Sequence, residues 1–414
     1  VAILRPFRAF RPPQEHAPRV ASRPYDVLSS EEARAEVQGN PDSFLRIGKP
    51  EVDLPPGTDL YSAVVYETAQ KNFADFIRRG LLVKDAHPSL YIYAQTWQGK
   101  TQYGIAGCAS VDEYQSGGIK RHELTRPDKE DDRMRHILTT GAQTGPIFLT
   151  YRRVDAIDAA VADEVSSLPA VEFTAQDGVK HAVWVVDEER RVKGLTDLFA
   201  AVPALYIADG HHRSAAAVRA AHACRNSDGG WGGNEEYNFF LSVVFPHNQL
   251  RILPYYRVVK DLNGRNAEEF MAEVTRHFAV SPSPGPVDPP SRGTYGMFLG
   301  GRWYRLTLRS DLLDRGEEMS DRLDVALLQE HFLKPVLGIE DPRRDKRIDF
   351  VGGIRGLGEL ERLVREGKAV VAISMHPTSV DELMQIADEG EIMPPKSTWF
   401  EPKLRDGLLV HALR

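Results

Sequence analysis

Cysteine is nearly absent from this chain: Cys108 and Cys224 are the only two among 414 residues. So few thiols, so far apart, exclude a disulfide framework and a Cys-based zinc site, and make a reducing cytoplasm the simplest compartment. Long apolar runs are missing too. None approaches the ~20 residues that a membrane-spanning helix needs. The opening Val1-Ala2-Ile3-Leu4 gives way at once to Arg5 and Pro6 and is too short for a secretory signal. No membrane association is expected. Nor does one sign of charge dominate. With 52 Lys and Arg against 59 Asp and Glu the net charge is −7, which gives no global basic field, and no nucleic-acid partner is expected.

Several catalytic signatures are absent as well. There is no GxxxxGK[ST] phosphate loop, no GxGxxG dinucleotide turn, no HExxH and no GxSxG. His122-Glu123 lacks a second histidine four residues on. His211 and His212 are adjacent, so on a helix they point about 100° apart. Read locally, these spacings argue against a dedicated transition-metal site. A Mg²⁺ ion arriving with a nucleotide and held by Asp209 or Glu123 needs only one or two protein carboxylates and fits better.

What is present is an ordinary globular composition, 42% hydrophobic and 27% charged, long enough for two or three domains. Residues 282–292 hold five prolines and predict a connector between a main domain, 1–281, and a C-terminal α/β subdomain, 293–414, packing back on the site. The pattern predicts an α+β fold with mixed sheets. Residues 89–95 and 102–109 read as a hairpin turning at Gly99, and 171–174 and 181–186 as another turning at Asp177-Gly178. Residues 44–47 read as a strand, 61–79 as a helix, 237–245 and 250–259 as strands, and 325–333 as a helix ended by Pro335.

The chemistry concentrates at residues 204–217. An apolar run through Tyr206-Ile207-Ala208 breaks at Asp209-Gly210, then continues as His211-His212-Arg213-Ser214-Ala215-Ala216-Ala217 with strong helix formers. A strand entering a helix through a glycine turn presents free N–H groups and a positive dipole end to an anion. Gly210 allows close backbone approach, and Asp209 is either a simple helix cap or a reactive carboxylate. A second concentration runs from Ile119 to His136. Thr125 with Asp128 resembles a capping box, and Arg126, Lys129, Arg133 and His136 share one face of the ensuing helix, with Met134, Ile137 and Leu138 on the buried side. A basic face suits polyphosphate or a carboxylate. Since Glu130, Asp131 and Asp132 offset the cations, spacing alone favours a salt-bridged surface helix. The tail Met393-Pro394-Pro395-Lys396-Ser397-Thr398-Trp399-Phe400 supplies a lysine and hydroxyls of the types that bind phosphate.

The stretch Tyr206 to Ala216 resembles the strand–turn–helix signature of the ParB/sulfiredoxin-like superfamily, whose members bind nucleotide phosphates at that turn. Over nearly its whole length the chain is similar to a bacterial and archaeal family catalogued as domain of unknown function number 1015. That similarity rests on Pro24-Tyr25-Asp26-Val27, Asn40-Pro41 with Ser43-Phe44-Leu45, His122-Glu123-Leu124-Thr125 with Lys129-Glu130 and Asp132-Arg133, the Asp209-to-Arg213 core and the Met393-to-Phe400 tail. Sulfiredoxins carry a catalytic cysteine just before a His-Arg pair. His211 stands there, so that chemistry is not available. ParB proteins add a DNA-binding helical domain, and no helix-turn-helix is visible here. The free-serine kinase branch, with an Asp-Gly-x-His-Arg type turn, is the nearest in chemistry.

The resemblance implies a ParB/sulfiredoxin-like nucleotide-binding core and a kinase-like transfer from ATP or ADP, with Mg²⁺, to a small alcohol such as L-serine. It implies phosphates held by Gly210, His211, His212, Arg213, Ser214, His122, Arg126, Lys129, Arg133 and Lys396. Asp209 or Glu123 would take the proton or hold the Mg²⁺. A nucleotide-binding switch of the ParB kind and a phosphohydrolase with Asp209 as base are the competing readings.

Overall fold

A computed structural model describes residues 2–313, 316 and 318–414; Val1 of the opening apolar run lies outside them. The chain divides into two compact units, one of residues 1–250 and 402–414, the other of 251–401. The division therefore falls on either side of a single inserted stretch rather than at residues 282–292. Those residues lie inside the second unit, where Val287 is buried beside Phe298 and Trp303 and its carbonyl accepts from Ser374 Oγ at 2.6 Å. Prolines keep this segment extended, and an extended chain can lie on a sheet as well as link two domains.

The first unit is built on a mixed sheet of nine strands. In chain order these are β1 (Leu4–Arg5), β2 (Leu90–Trp97), β3 (Lys100–Ser110), β4 (Ile119–Lys120), β5 (Ile147–Tyr151), β6 (Val171–Thr174), β7 (Lys180–Val186), β8 (Leu205–Asp209) and β9 (Phe239–Pro246). The spatial order is β4-β8-β5-β9-β3-β2-β7-β6, with β1 joined to β3. β8 is parallel to β4 and β9 to β5, while the other pairings are antiparallel. The expected hairpins form: β2 and β3 meet with Trp97 opposite Lys100, and β6 and β7 turn at Asp177-Gly178. The helices of this unit include α1 (Ala63–Arg78), α2 (Pro127–Thr140) and α3 (His211–Ser227). α3 packs against α2. Its alanines at 215, 216, 217, 220 and 221 are all buried, and side chains this small allow the close approach of neighbours on several faces.

The second unit carries a six-stranded antiparallel sheet of β10 (Tyr255–Val259), β11 (Phe278–Ser283), β12 (Thr294–Leu299), β13 (Arg302–Leu308), β14 (Ile348–Gly352) and β15 (Val371–Met375), in the order β11-β13-β12-β15-β10-β14. Both units mix helices with antiparallel or mixed sheets, as an α+β class requires. Among the described residues no helix is long and apolar enough to cross a membrane.

Three local expectations are corrected. Residues 44–47 are not a strand. Leu45–Gly48 form one helical turn, because Phe44 and Ile47, three apart, both turn into a cluster with Phe73 and Phe76. The expected strand 250–259 is interrupted at Pro254, between Arg251–Leu253 and β10. Pro335 does not end its helix: Asp324–Leu328 passes through a wide π turn at Gln329–Leu333 into Lys334–Leu337. The π turn just before Pro335 shifts the hydrogen-bond ladder where the proline lacks an N–H, and Gly338 at φ 65° makes the stop.

Candidate functional site

Strands β4 and β8 end side by side. They are parallel neighbours, with Ile119 opposite Leu205 and Lys120 opposite Tyr206, so the residues that come after them emerge at the same end of the sheet. His122 and Glu123 come after β4; Gly210 and His211 come after β8. A register shift against β5 between Ile207 and Asp209 inserts one extra residue, a bulge that re-aims the next side chain. The Asp209 carboxylate accepts from Lys403 Nζ at 3.0 Å and lies 3.7 Å from Arg213 Nη2. Gly210 adopts φ 99°, a left-handed backbone that favours glycine. A Cβ there would also stand 3.3 Å from the Arg213 guanidinium carbon.

Among the described residues no side chain caps the start of α3. The expected simple cap by Asp209 is not made, because that carboxylate is engaged by Lys403. The helix therefore keeps the partial positive charge of its first N–H groups beside two cationic side chains. Burial alone would raise the Asp209 carboxyl. Lys403 and Arg213 outweigh it and hold the group well below the usual carboxylate range.

The two histidines behind this turn are the least expected feature. His122 is 1% exposed and His211 5%. Their rings meet edge to face, centroids 4.4 Å apart at 86°. Burial depresses both: His122 falls to about 4, with Asp209 pulling the other way, and His211 falls well below the ordinary value through burial and the neighbouring His122. Both imidazoles are neutral at neutral pH. Among the described residues neither nitrogen of His122, nor Nε2 of His211, has a hydrogen-bond partner. A buried polar atom left so costs about 1–3 kcal/mol. The remaining nitrogen, His211 Nδ1, is 3.9 Å from Glu123 Oε2, whose side chain is 43% exposed.

The remaining sequence candidates divide. His212 Nε2 accepts from the Arg126 backbone N–H at 3.1 Å, tying the starts of α2 and α3 together. Arg213 is buried. It donates to the Pro146 carbonyl and faces Asp26 at 3.5 Å as well as Asp209. The Ser214 hydroxyl is turned inward, bonding the carbonyls of Gly210 and His211 at 2.9 and 3.1 Å, so it presents no donor to a ligand. The expected basic face of α2 is split. Arg126 pairs with Asp128 on the exposed side, and Lys129 reaches Tyr61 Oη at 3.0 Å. Arg133 instead pairs with Asp132 and lies 4.1 Å over the Tyr25 ring, and His136 Nε2 donates to the Ile47 carbonyl at 2.8 Å. Leu138, expected on the buried side, is 38% exposed. Thr125 makes no cap; its hydroxyl bonds Glu130, and Arg126 occupies the N-cap position. Lys396 belongs to the second unit, where its amine lies 5.2 Å over the Tyr255 ring.

Spacing could not find four contributors to this site, because they come from the two ends of the chain. These are Tyr25 and Asp26, Lys403, and Asp406. Arg213, Arg133, Tyr25, His136 and Asp406 are polar groups lining one cavity of the first unit. Burial pushes the Asp406 carboxyl up to about 7 against the pull of Arg213 and Arg133, and its Oδ1 has no hydrogen-bond partner among the described residues. Tyr25-Asp26 and Lys403 do fall in or beside segments that carry the resemblance, the signal that could have pointed to them.

Residues 4–326 match the model of a family described as "Protein of unknown function (DUF1015)". No curated protein matches. Among solved structures, the chain is similar to a conserved hypothetical protein from Pyrococcus furiosus, at 13% identity and TM-score 0.34 over 75% of this chain and 95% of that one. A free serine kinase in complex with AMP aligns at 12% identity and TM-score 0.34, over 72% and 86%. SbnI from Staphylococcus aureus, with its C-terminus truncated, aligns at 14% and 0.37, over 74% and 87%. Likeness this slight transfers nothing to the present chain.

Proposed function

The chain belongs to the DUF1015 family, and on that premise we propose that it is a nucleotide-dependent phosphotransferase acting on a small hydroxylated metabolite. The observation that carries the reading is the uncapped start of α3, with Lys403 and Arg213 fixed beside it by Asp209. A helix N-terminus flanked by cations is a phosphate site. The sequence resemblance to the ParB/sulfiredoxin-like superfamily, and to its free-serine kinase branch, supports the same place for the phosphates. ATP or ADP would lie with its phosphates on the N–H groups after Gly210, with His212, Arg126 and Lys129 at the outer edge. Charge neutralisation is the main catalytic task in phosphoryl transfer.

Asp209 is too weakly basic, between Lys403 and Arg213, to be a strong proton acceptor. Its role is to hold those two cations in place, which leaves Glu123 as the carboxylate for the acceptor's hydroxyl proton. Mg²⁺ carried in on the nucleotide would be held mainly by the phosphates and water rather than by Asp209, whose oxygen is occupied by Lys403, and when bound it would neutralise phosphate charge. The cavity of Arg133, Arg213 and Asp406 pairs guanidinium groups with a carboxyl, the complement of an amino acid such as L-serine. The setting would be the cytoplasm, where the buried free thiols of Cys108 and Cys224 stay reduced.

The test is incubation with ATP or ADP, Mg²⁺ and a panel of small alcohols including L-serine, with detection of the phosphorylated product. Transfer by the unaltered protein that is lost in Asp209→Asn and Glu123→Gln supports the reading. Phosphate release without an acceptor points instead to a hydrolase, and tight nucleotide binding without turnover to a switch. Equal inertness of the unaltered protein and both variants removes the kinase reading.

A further inference from the structure

We propose that His122, Glu123 and His211 hold a divalent d-block metal ion, of the zinc, manganese or iron(II) class, through two imidazole nitrogens and one carboxylate oxygen. One ligand atom from each of the three residues lies within 4.8 Å of the others. Metal–ligand bonds of about 2.0–2.1 Å put ligand atoms roughly 3.3 Å apart in a tetrahedral site, so small side-chain rotations close the set around an ion. The backbone that carries the ligands is already fixed. His122-Glu123 come after β4, His211 opens α3 directly after β8, and β4 and β8 are hydrogen-bonded parallel neighbours.

An independent observation points to a ligand. Three of the four imidazole nitrogens, both of His122 and Nε2 of His211, are buried without a partner among the described residues. Other buried histidines of the same unit are not left so: His136 bonds the Ile47 carbonyl, His181 bonds Tyr93 and Arg405, and His411 bonds Gln143 and Glu236. Two imidazoles grouped with one carboxylate select a d-block ion over Mg²⁺, which prefers oxygen ligands. Three protein ligands, one of them on a side chain that reaches solvent, leave coordination positions open, as in catalytic rather than structural sites. Asp209, whose charge is felt by both imidazoles, lies just outside the set. The inference does not rest on the phosphotransferase reading and competes with it at Glu123 alone, which cannot be a metal ligand and a free base at once; metal retention without nucleotide or acceptor tests it separately.

The full chain, stripped with a chelator, is given Zn²⁺, Mn²⁺, Fe²⁺ (without oxygen) or Co²⁺ singly, in a large excess of Mg²⁺, then desalted and assayed for metal. The expected result is about one d-block ion per chain, with retention in His122→Ala and His211→Ala reduced roughly tenfold or more. Since a histidine variant may fold poorly, the Co²⁺ form of the unaltered protein supplies a second readout: ligand-field absorption bands of a low-coordinate site with nitrogen ligands. Three outcomes overturn the proposal: no retention by the unaltered protein, displacement by Mg²⁺, or undiminished retention in both histidine variants. Phosphotransfer failing while metal is retained would reject the kinase reading alone.

Discussion

Two imidazoles of the first unit are equally hidden from water and otherwise opposite. His181 has Tyr93 Oη at 2.8 Å on Nδ1 and Arg405 Nε donating to Nε2 at 3.1 Å, with Phe173 stacked at 5.3 Å. The arginine fixes its tautomer, leaving Nδ1 to carry the proton. His122 is as deeply buried and, among the described residues, has a partner on neither nitrogen. Burial explains why both are neutral, and only the partners tell them apart. A satisfied histidine is part of the core. An orphaned one, kept at a cost to stability, marks a place where something else binds.

The largest expected effect treats the two alike. Burial lowers His122 and His136 to about 4 and His181 to about 3. The unfolded chain takes up protons near pH 6.5, where these folded groups do not, so the stability they lend is full above about 6.5 and lost as pH falls toward 4 and below. At about 1.4 kcal/mol per pKa unit the three together reach roughly 10 kcal/mol, the scale of a whole domain's stability. The first unit should unfold cooperatively between about pH 6 and 4. Circular dichroism across that range checks it, and an intact native signal at pH 4 would refute it.

The next experiment separates the pair. In His181→Ala the Tyr93 hydroxyl and the Arg405 guanidinium lose a buried partner, and about 3 kcal/mol of stability goes with them. In His122→Leu two unsatisfied nitrogens are replaced by apolar volume, and the change should be near zero or stabilising, within about 1 kcal/mol. Urea titrations of both variants at pH 8 give the answer. Equal losses would mean that His122 has a partner in solution after all.

The same residues explain why the sequence did not show this contrast. Patterns close in sequence were legible: the strand, glycine turn and helix from Leu205 to Ser227, the two hairpins and the α+β class all rest on neighbours along the chain. The turn residues Asp209 to Arg213 stand out in the sequence as a candidate site for the same reason. What escaped was everything made between distant segments. Along the chain His211 stands next to His212, from which it diverges on a helix, and far from His122, which the pairing of β4 with β8 places beside it. In the tail Lys396 sits inside the segment that carries the resemblance, while it is Lys403, seven residues on, that bonds Asp209. The spacing of Arg126, Lys129, Arg133 and His136 predicts one basic face on α2, but the fold turns Arg133 and His136 into a cavity and leaves Arg126 and Lys129 outside.

Among the carboxylates Asp406 is the counterpart of His122, buried and with one oxygen unpartnered among the described residues, and its pH effect runs the other way. Its folded value of about 7 lies above the unfolded 3.8, so between those values the folded state holds the extra proton. The stability it lends is present below about pH 4 and lost as pH rises through 7. Asp406→Asn should remove that slope and raise stability at pH 8 relative to pH 5 by about 2 kcal/mol, once relaxation around the charge is allowed for. Melting temperatures of both proteins at the two pH values decide it. A parallel shift at both would show that Asp406 does not titrate there.

The smallest effect belongs to the outer edge of the site. Arg126 makes an exposed ion pair with Asp128, and Lys129 a single bond to Tyr61. Surface contacts of this kind contribute a few tenths of a kcal/mol, so Arg126→Ala and Lys129→Ala should leave the folding free energy within about 0.5 kcal/mol of the unaltered value. On the proposed reading their charge would act on a phosphate at the start of α3. Each variant should weaken nucleotide binding by about threefold to tenfold at low salt, and by less as salt screens it. Isothermal titration at two ionic strengths checks this. A salt-independent loss would mean that these side chains hold the nucleotide by direct, desolvated contact. No loss at either salt would confine the phosphate site to α3, Lys403 and Arg213.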